Sequence, residues 1–117
     1  MTRIYKILNR REWVDALAKG RFEGSIQDCA DGFIHFSTAG QVGETARRHF
    51  RGQSGQADLM VLAVEADGLG PALKWEPSRG GALFPHFYGA LACERVIEAR
   101  AVYPAGDGVP DPGDLVP

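Results

Sequence analysis

The 117-residue sequence has little that would staple it, anchor it in a membrane or charge it. It has only two cysteines, Cys29 and Cys93, in no CxxC or CxxxC spacing, which excludes a disulfide framework and a thiolate metal knuckle as its organising principle. Both are expected to be reduced thiols. No apolar stretch approaches the roughly 18 residues that a membrane-crossing helix needs, and the first residues hold no apolar run of signal-peptide length. The expectation is therefore a cytoplasmic protein with no membrane partner. Formal net charge is −2, which argues against nucleic acid held by bulk charge and leaves an RNA end as the one nucleic-acid role considered. The sequence contains no Walker A motif, no GxGxxG, no GxSxG and no internal repeat.

What is present reads as one domain. A chain of this length buries roughly two-thirds of its unfolded surface, and the 44% apolar and 24% charged content is ordinary for a globular fold. Arg3–Leu8 reads as a strand. Asn9 with Glu12 forms a capping-box pattern for a helix over 10–19, which Gly20 can close. Residues 21–31 read as polar and irregular, and Gly32–Phe36 as a second strand. Thr38 with Gln41 repeats the capping pattern ahead of a helix over 39–51, whose apolar stripe is Ala39, Val42, Ala46, His49 and Phe50.

Asp58–Glu65 is almost continuously apolar and is the best candidate for a central strand. Ala72–Glu76 follows as a strand. Leu83–Tyr88 is extended but contains Pro85, which favours an edge, a bulge or a strand start. Residues 95–103 alternate, with Ile97, Ala99, Ala101 and Tyr103 on one face. The Pro-, Gly- and Asp-rich segment 104–117 reads as a flexible tail, leaving 1–103 as a single α+β domain with small mixed or antiparallel sheets and two early helices.

Two segments carry candidate chemistry. In Gly32–Thr38, alternation puts His35 and Ser37 on one face at the end of a strand leading into a helix, a place suited to an anion or a ribose. The alternative is a core histidine with Ser37 acting only as a cap. In the second segment, Glu76 ends a strand beside the Pro77–Gly81 loop, while His86 and Tyr88 share a face. There the alternative is a surface carboxylate paired with a lysine or arginine. Arg47, Arg48 and Arg51 form a charged helix face, either solvated or touching phosphate. His35, His49 and His86 lack HxxxH or HExxH spacing, so no metal is expected.

These segments together, Ile4–Ile7, Gly32–Thr38 with Gln41, Trp75-Glu76 and Phe84–Gly89, resemble the bacterial domain of unknown function 952 family across about residues 3 to 103. The resemblance implies an ADP-ribosyltransferase-like fold, with the RNA 2′-phosphotransferases as the nearest analogue and NAD as the implied cofactor. It places His35 at the ribose or nicotinamide, with Ser37 and Thr38 in support. Lys6 stands where that superfamily has a first-strand histidine after an aromatic residue, here Tyr5. No acid lies in Ala82–His86, so Glu76 is left as the catalytic carboxylate, and Arg47, Arg48 and Arg79 are the phosphate candidates. The function expected is an NAD-utilising ADP-ribosyl or 2′-phosphate transferase. The alternative is a non-catalytic module on the same fold that binds a nucleotide-like ligand or a protein.

Overall fold

The chain opens with β1 (Arg3–Asn9), and α1 (Arg10–Lys19) follows it without a linker. In the computed structural model, which describes residues 2–51, 58–111 and 113, this junction is the one that the sequence predicts. The Asn9 side chain accepts from the Glu12 amide, the Glu12 side chain accepts from the Asn9 amide, and Gly20 closes the helix at φ 84. Next come β2 (Arg21–Phe22), α2 (Ile26–Asp31), β3 (Ile34–His35), β4 (Ser37–Thr38) and α3 (Val42–Phe50). The chain continues through β5 (Leu59–Glu65), β6 (Leu73–Pro77), β7 (Leu83–Phe87), β8 (Leu91–Ala92), β9 (Val96–Pro104) and β10 (Pro110–Asp111).

Every strand pairing among the described residues is antiparallel. The larger sheet has the order β10-β9-β5-β1-β4, with β5 at its centre as its apolar run predicts; a smaller sheet runs β3-β7-β6, and β2 pairs with β8. The result is an α+β fold with antiparallel sheets and several helices.

The large sheet carries a core on each face. Ile4, Leu8, Met60, Leu62 and Val64 point to one side and pack with Trp13 and Ala16 of α1, Phe22, Leu91, and Ile34 and Phe87 of the small sheet. Tyr5, Ile7, Leu59, Val61 and Ala63 point to the other side and pack with Val42 and Ala46 of α3 and with Val102 and Val109. Because β5 is buried on both faces, its sequence is apolar at consecutive positions rather than alternate ones.

Several expectations need correction. Residues 26–31 form a helix where the sequence reading has an irregular loop. The predicted strand 32–36 is shorter, and its continuation, β4, joins a different sheet. The second predicted helix starts at Val42 because Thr38–Gln41 forms a turn, and His49 is exposed instead of lying on the buried stripe. Ile97 is 47% exposed, because a bulge opposite Ala63/Val64 disturbs the register, and Tyr103 is 70% exposed.

Pro85 lies in the central strand of the small sheet. This is possible because the Phe36 amide donates to the Pro85 carbonyl just where β3 stops, so the ladder asks Pro85 for an acceptor and not for a donor. The start of the predicted tail is also ordered. β10 pairs Asp111 with Tyr103, and Val109 is buried in the second core. Residues 112 and 114–117 of that tail lie outside the described residues.

Candidate functional site

The site is built around a buried carboxylate. Ser25 and Asp28 cap α2 reciprocally: the Ser25 hydroxyl accepts from the Asp28 amide, and the Asp28 carboxylate accepts from the Ser25 amide. Gly24 holds φ +111 at the entrance, and a Cβ there would sit 2.9 Å from the Asp28 Cβ, so only glycine lets the chain pass this close.

Asp28 is 2% exposed and also receives the Lys6 ammonium at 2.9 Å, the His35 amide at 3.2 Å and His35 Nδ1 at 2.6 Å. Burial alone would push its carboxyl up. The His35 hydrogen bond, the Lys6 charge and the Ser25 amide together hold it well below the usual carboxylate range. Burial pushes the Lys6 ammonium down, and Asp28 only partly restores it. On the outer side, His35 Nε2 lies 2.9 Å from Asp31 Oδ2. Carboxylates accept only, so both contacts are hydrogen bonds when both ring nitrogens carry protons. Asp28 and Asp31 thus grip His35 from two sides.

A second carboxylate–imidazole pair lies alongside. His86 is directly opposite His35 in the β3–β7 register, and their ring centroids are 5.6 Å apart. His86 Nδ1 donates to Glu76 Oε1 at 2.8 Å, and the Tyr88 hydroxyl donates to the same oxygen at 2.7 Å. These two donors, Tyr88 first, lower the Glu76 carboxyl, and Glu76 in turn raises the Tyr88 phenol. Phe33 stacks on His86 with centroids 4.1 Å apart and also touches the rings of His35 and Tyr88. Lys74, opposite His86 on β6, holds its ammonium 5.6 Å from the centre of the Tyr88 ring. The outer face of the small sheet therefore carries two fixed imidazoles, an oriented carboxylate, two aromatic rings and an ammonium.

The model of a protein family of unknown function, DUF952, matches residues 7–99. The chain belongs to that family. This DUF952 protein is also similar to protein CC0527 from Caulobacter crescentus. The crystal structure of CC0527 is 54% identical, superposes with a TM-score of 0.92 and covers 98% of each chain. Its solution structure is 56% identical, with a TM-score of 0.84, covering 98% of this chain and 97% of that one. No curated protein matches the chain.

In the DUF952 protein the fold brings together His35, Glu76, His86 and Tyr88 and puts Lys6 beneath them. Ser37 goes elsewhere. The chain leaves the small sheet after His35, and the Ser37 hydroxyl meets Thr45 Oγ1 of α3 at 2.8 Å. The Thr38 amide is taken by the Gln41 side chain. Arg47 lies on α3 near Glu44 and Asp107, and Arg48 pairs with Glu44. The side chain of Arg79 lies outside the described residues. Lys6 is spent on Asp28 and so is not a free phosphate ligand.

Asp28, Asp31, Phe33 and Lys74 complete the face and are not among the residues singled out from sequence. Ser25-x-x-Asp28 before Gly32 is a capping signature that could have located α2 and hence Asp28. Among the described residues no group of three or more His, Cys, Asp or Glu side chains is arranged to hold a metal, and no helix is long and apolar enough to cross a membrane. The groove of about 550 Å³ lined by Asn9, Arg10, Val14 and Asp58 is a surface depression at the β1–α1 corner and includes none of the histidines.

Proposed function

We propose that the outer face of the small sheet is the site of an NAD-utilising transferase of the ADP-ribosyl or 2′-phosphate type, with Glu76 as its working carboxylate. The observation that carries this reading is the double anchoring of Glu76 Oε1 by His86 and Tyr88. It fixes the carboxylate in direction, keeps it ionised and leaves Oε2 without a hydrogen-bond partner among the described residues. An oriented carboxylate of this kind can accept a ribose hydroxyl and stabilise positive charge developing on the sugar, with no reorganisation when the charge appears.

NAD would supply an electrophilic ribosyl carbon. The residues present fit such a group: Glu76 for the ribose, and the exposed Tyr88 and half-buried Phe33 rings for a flat heterocycle. His86, held by Glu76 through Nδ1, keeps Nε2 as its acceptor nitrogen. His35, gripped on both nitrogens by Asp28 and Asp31, shapes the site. The ADP-ribosyltransferase-like fold is part of the same proposal and rests on the resemblance of the sequence segments.

A second reading, a non-catalytic module for a nucleotide-like ligand or a protein, is favoured by one observation: both His35 nitrogens are already occupied by Asp28 and Asp31. Calorimetric titration of NAD and ADP-ribose, together with an assay of nicotinamide release, separates the two. A transferase binds NAD and releases nicotinamide, and Glu76→Gln lowers release by about 100-fold or more while binding persists. A binding module takes up ADP-ribose, weakened about tenfold (roughly 1.4 kcal/mol) in His35→Ala, with no release. Absence of heat with either ligand at millimolar concentration would sink the NAD reading.

A further inference from the structure

The register of the small sheet places three basic side chains in one row: His35 on β3, His86 on β7 and Lys74 on β6. Two of the three lie against carboxylates. His35 is met by Asp28 and Asp31, and His86 by Glu76. Lys74 is not: among the described residues no carboxylate lies within ion-pairing distance of its ammonium. Glu76, two residues along the same strand face, feels the charge of Lys74 without touching it, because its Oε1 is turned to His86 and Tyr88.

The ammonium is nevertheless placed. It lies over the face of the Tyr88 ring, 5.6 Å from the centroid, a cation–π seat that orients a lysine without neutralising it. Lys74 is exposed and sits on the outermost strand of the sheet, so the space beyond it is open to a ligand. Of the basic residues that the sequence offered for an anion, Lys6 is engaged by Asp28, and Arg47 and Arg48 lie on α3 beside Glu44, while the side chain of Arg79 lies outside the described residues.

We infer that Lys74, seated on Tyr88 beside His86, is the anion-binding group of this face, and that the ligand it takes carries a phosphate ester. The ligand supplies the anionic partner that Lys74 lacks among the described residues. This inference rests on the reading of the same face as a nucleotide-type site and narrows it. Glu76 and Lys74 lie on one strand face, so a ligand held by both would present a sugar hydroxyl to the carboxylate and its phosphate to the ammonium.

The test compares wild type, Lys74→Ala and Lys74→Arg by calorimetry. The probes are inorganic pyrophosphate, ADP-ribose, adenosine 2′-monophosphate and, as a phosphate-free control, adenosine. The expected result is that the phosphate-bearing probes weaken about tenfold or more in Lys74→Ala, recover in Lys74→Arg, and lose affinity with added salt, as neutralised phosphate charge requires. Adenosine is indifferent to the substitution. Preference for ADP-ribose or for adenosine 2′-monophosphate tells a pyrophosphate ligand from a 2′-phosphate one.

Lys74→Ala binding every probe like wild type overturns the inference, even where Glu76→Gln abolishes nicotinamide release and the transferase reading stands. Lys74-dependent binding of pyrophosphate with no response to NAD or ADP-ribose supports the anion site and removes the NAD reading. No binding of any probe at millimolar concentration removes both.

Discussion

The two main sheets of this DUF952 protein distribute their side chains differently. β1 and β5 of the large sheet are buried on both faces, so Ile4 and Leu62 serve one core while Tyr5 and Val61 serve the other. The small sheet is covered on one face and only partly on the other. Ile34, Leu73 and Phe87 turn inward to the first core, and the opposite face carries His35, Lys74 and His86, with Lys74 exposed, His35 half-buried and His86 buried under Phe33. A strand packed on both sides has no face left for a ligand. A strand packed on one side can commit the other to chemistry at little cost to the core. The boundary between the two regimes is Asp28, which is buried like a core residue yet bonded to Lys6 of the large sheet and to His35 of the small one.

Breaking that boundary should give the largest effect. Asp28→Ala leaves the Lys6 ammonium buried without its partner, together with the unmet amides of Ser25 and His35. The expected loss is about 3–5 kcal/mol in urea unfolding. Converting both partners, Lys6→Met with Asp28→Leu, should recover part of that loss by removing the stranded charge. The pH dependence has a defined sign. The folded-state carboxyl of Asp28 is depressed, so its stabilisation is present above the unfolded Asp value of about 3.9 and disappears as pH falls through the lower folded value. Stability of the wild type measured from pH 5 downward should therefore fall in a way that Asp28→Asn does not share. Parallel curves would mean that Asp28 is not the coupling group.

Leu62→Ala tests the core side of the comparison. Leu62 has no exposed surface and sits at the centre of β5, so a loss of about 2–5 kcal/mol is expected. Val109→Ala probes the outermost layer, where β10 folds back on β9. The valine is 8% exposed and packs on the second core, so a smaller loss of about 1 kcal/mol is expected. No change in the urea midpoint would mean that the segment after Pro104 contributes nothing to the domain, as its composition alone implies.

The sequence shows the large sheet better than the small one, for a physical reason. Local signals report local structure. Asn9 with Glu12 and Gly20 delimits α1, and the unbroken apolar run of β5 announces a strand buried twice. In the small sheet β6 and β7 form a local hairpin, but β3 is only two residues long and pairs far along the chain, His35 with His86, and no local pattern encodes that pairing. The convergence of His35, Glu76, His86 and Tyr88 is legible as a set of residue types at strand ends. Their hydrogen bonds are not.

Ser37 shows the limit of reasoning from alternation: a single residue between His35 and Ser37 leaves the ladder, and the two side chains end in different sheets. Asp28 was missed for the opposite reason. Its capping signature, Ser25-x-x-Asp28, is present, but lies in a stretch whose polarity reads as a loop.

The smallest effect on the fold should come from the site itself, and Tyr88→Phe isolates it. Tyr88 is 40% exposed, and its hydroxyl has one partner, Glu76 Oε1. Losing the hydroxyl removes no core contact, so the melting temperature should stay unchanged. The Glu76 carboxyl should change instead. Tyr88 is the largest of the influences that lower it, and without that donor the titration should move up towards the ordinary glutamate value while His86 still holds the same oxygen. A carbon-detected titration of the Glu76 carboxyl by NMR reads this directly. An upward displacement in Tyr88→Phe with an unchanged melt would show that the outer face is tuned independently of the core beneath it. A melt that falls with no displacement would mean that Tyr88 serves packing, and the distinction between a core face and a chemical face would fail at this residue.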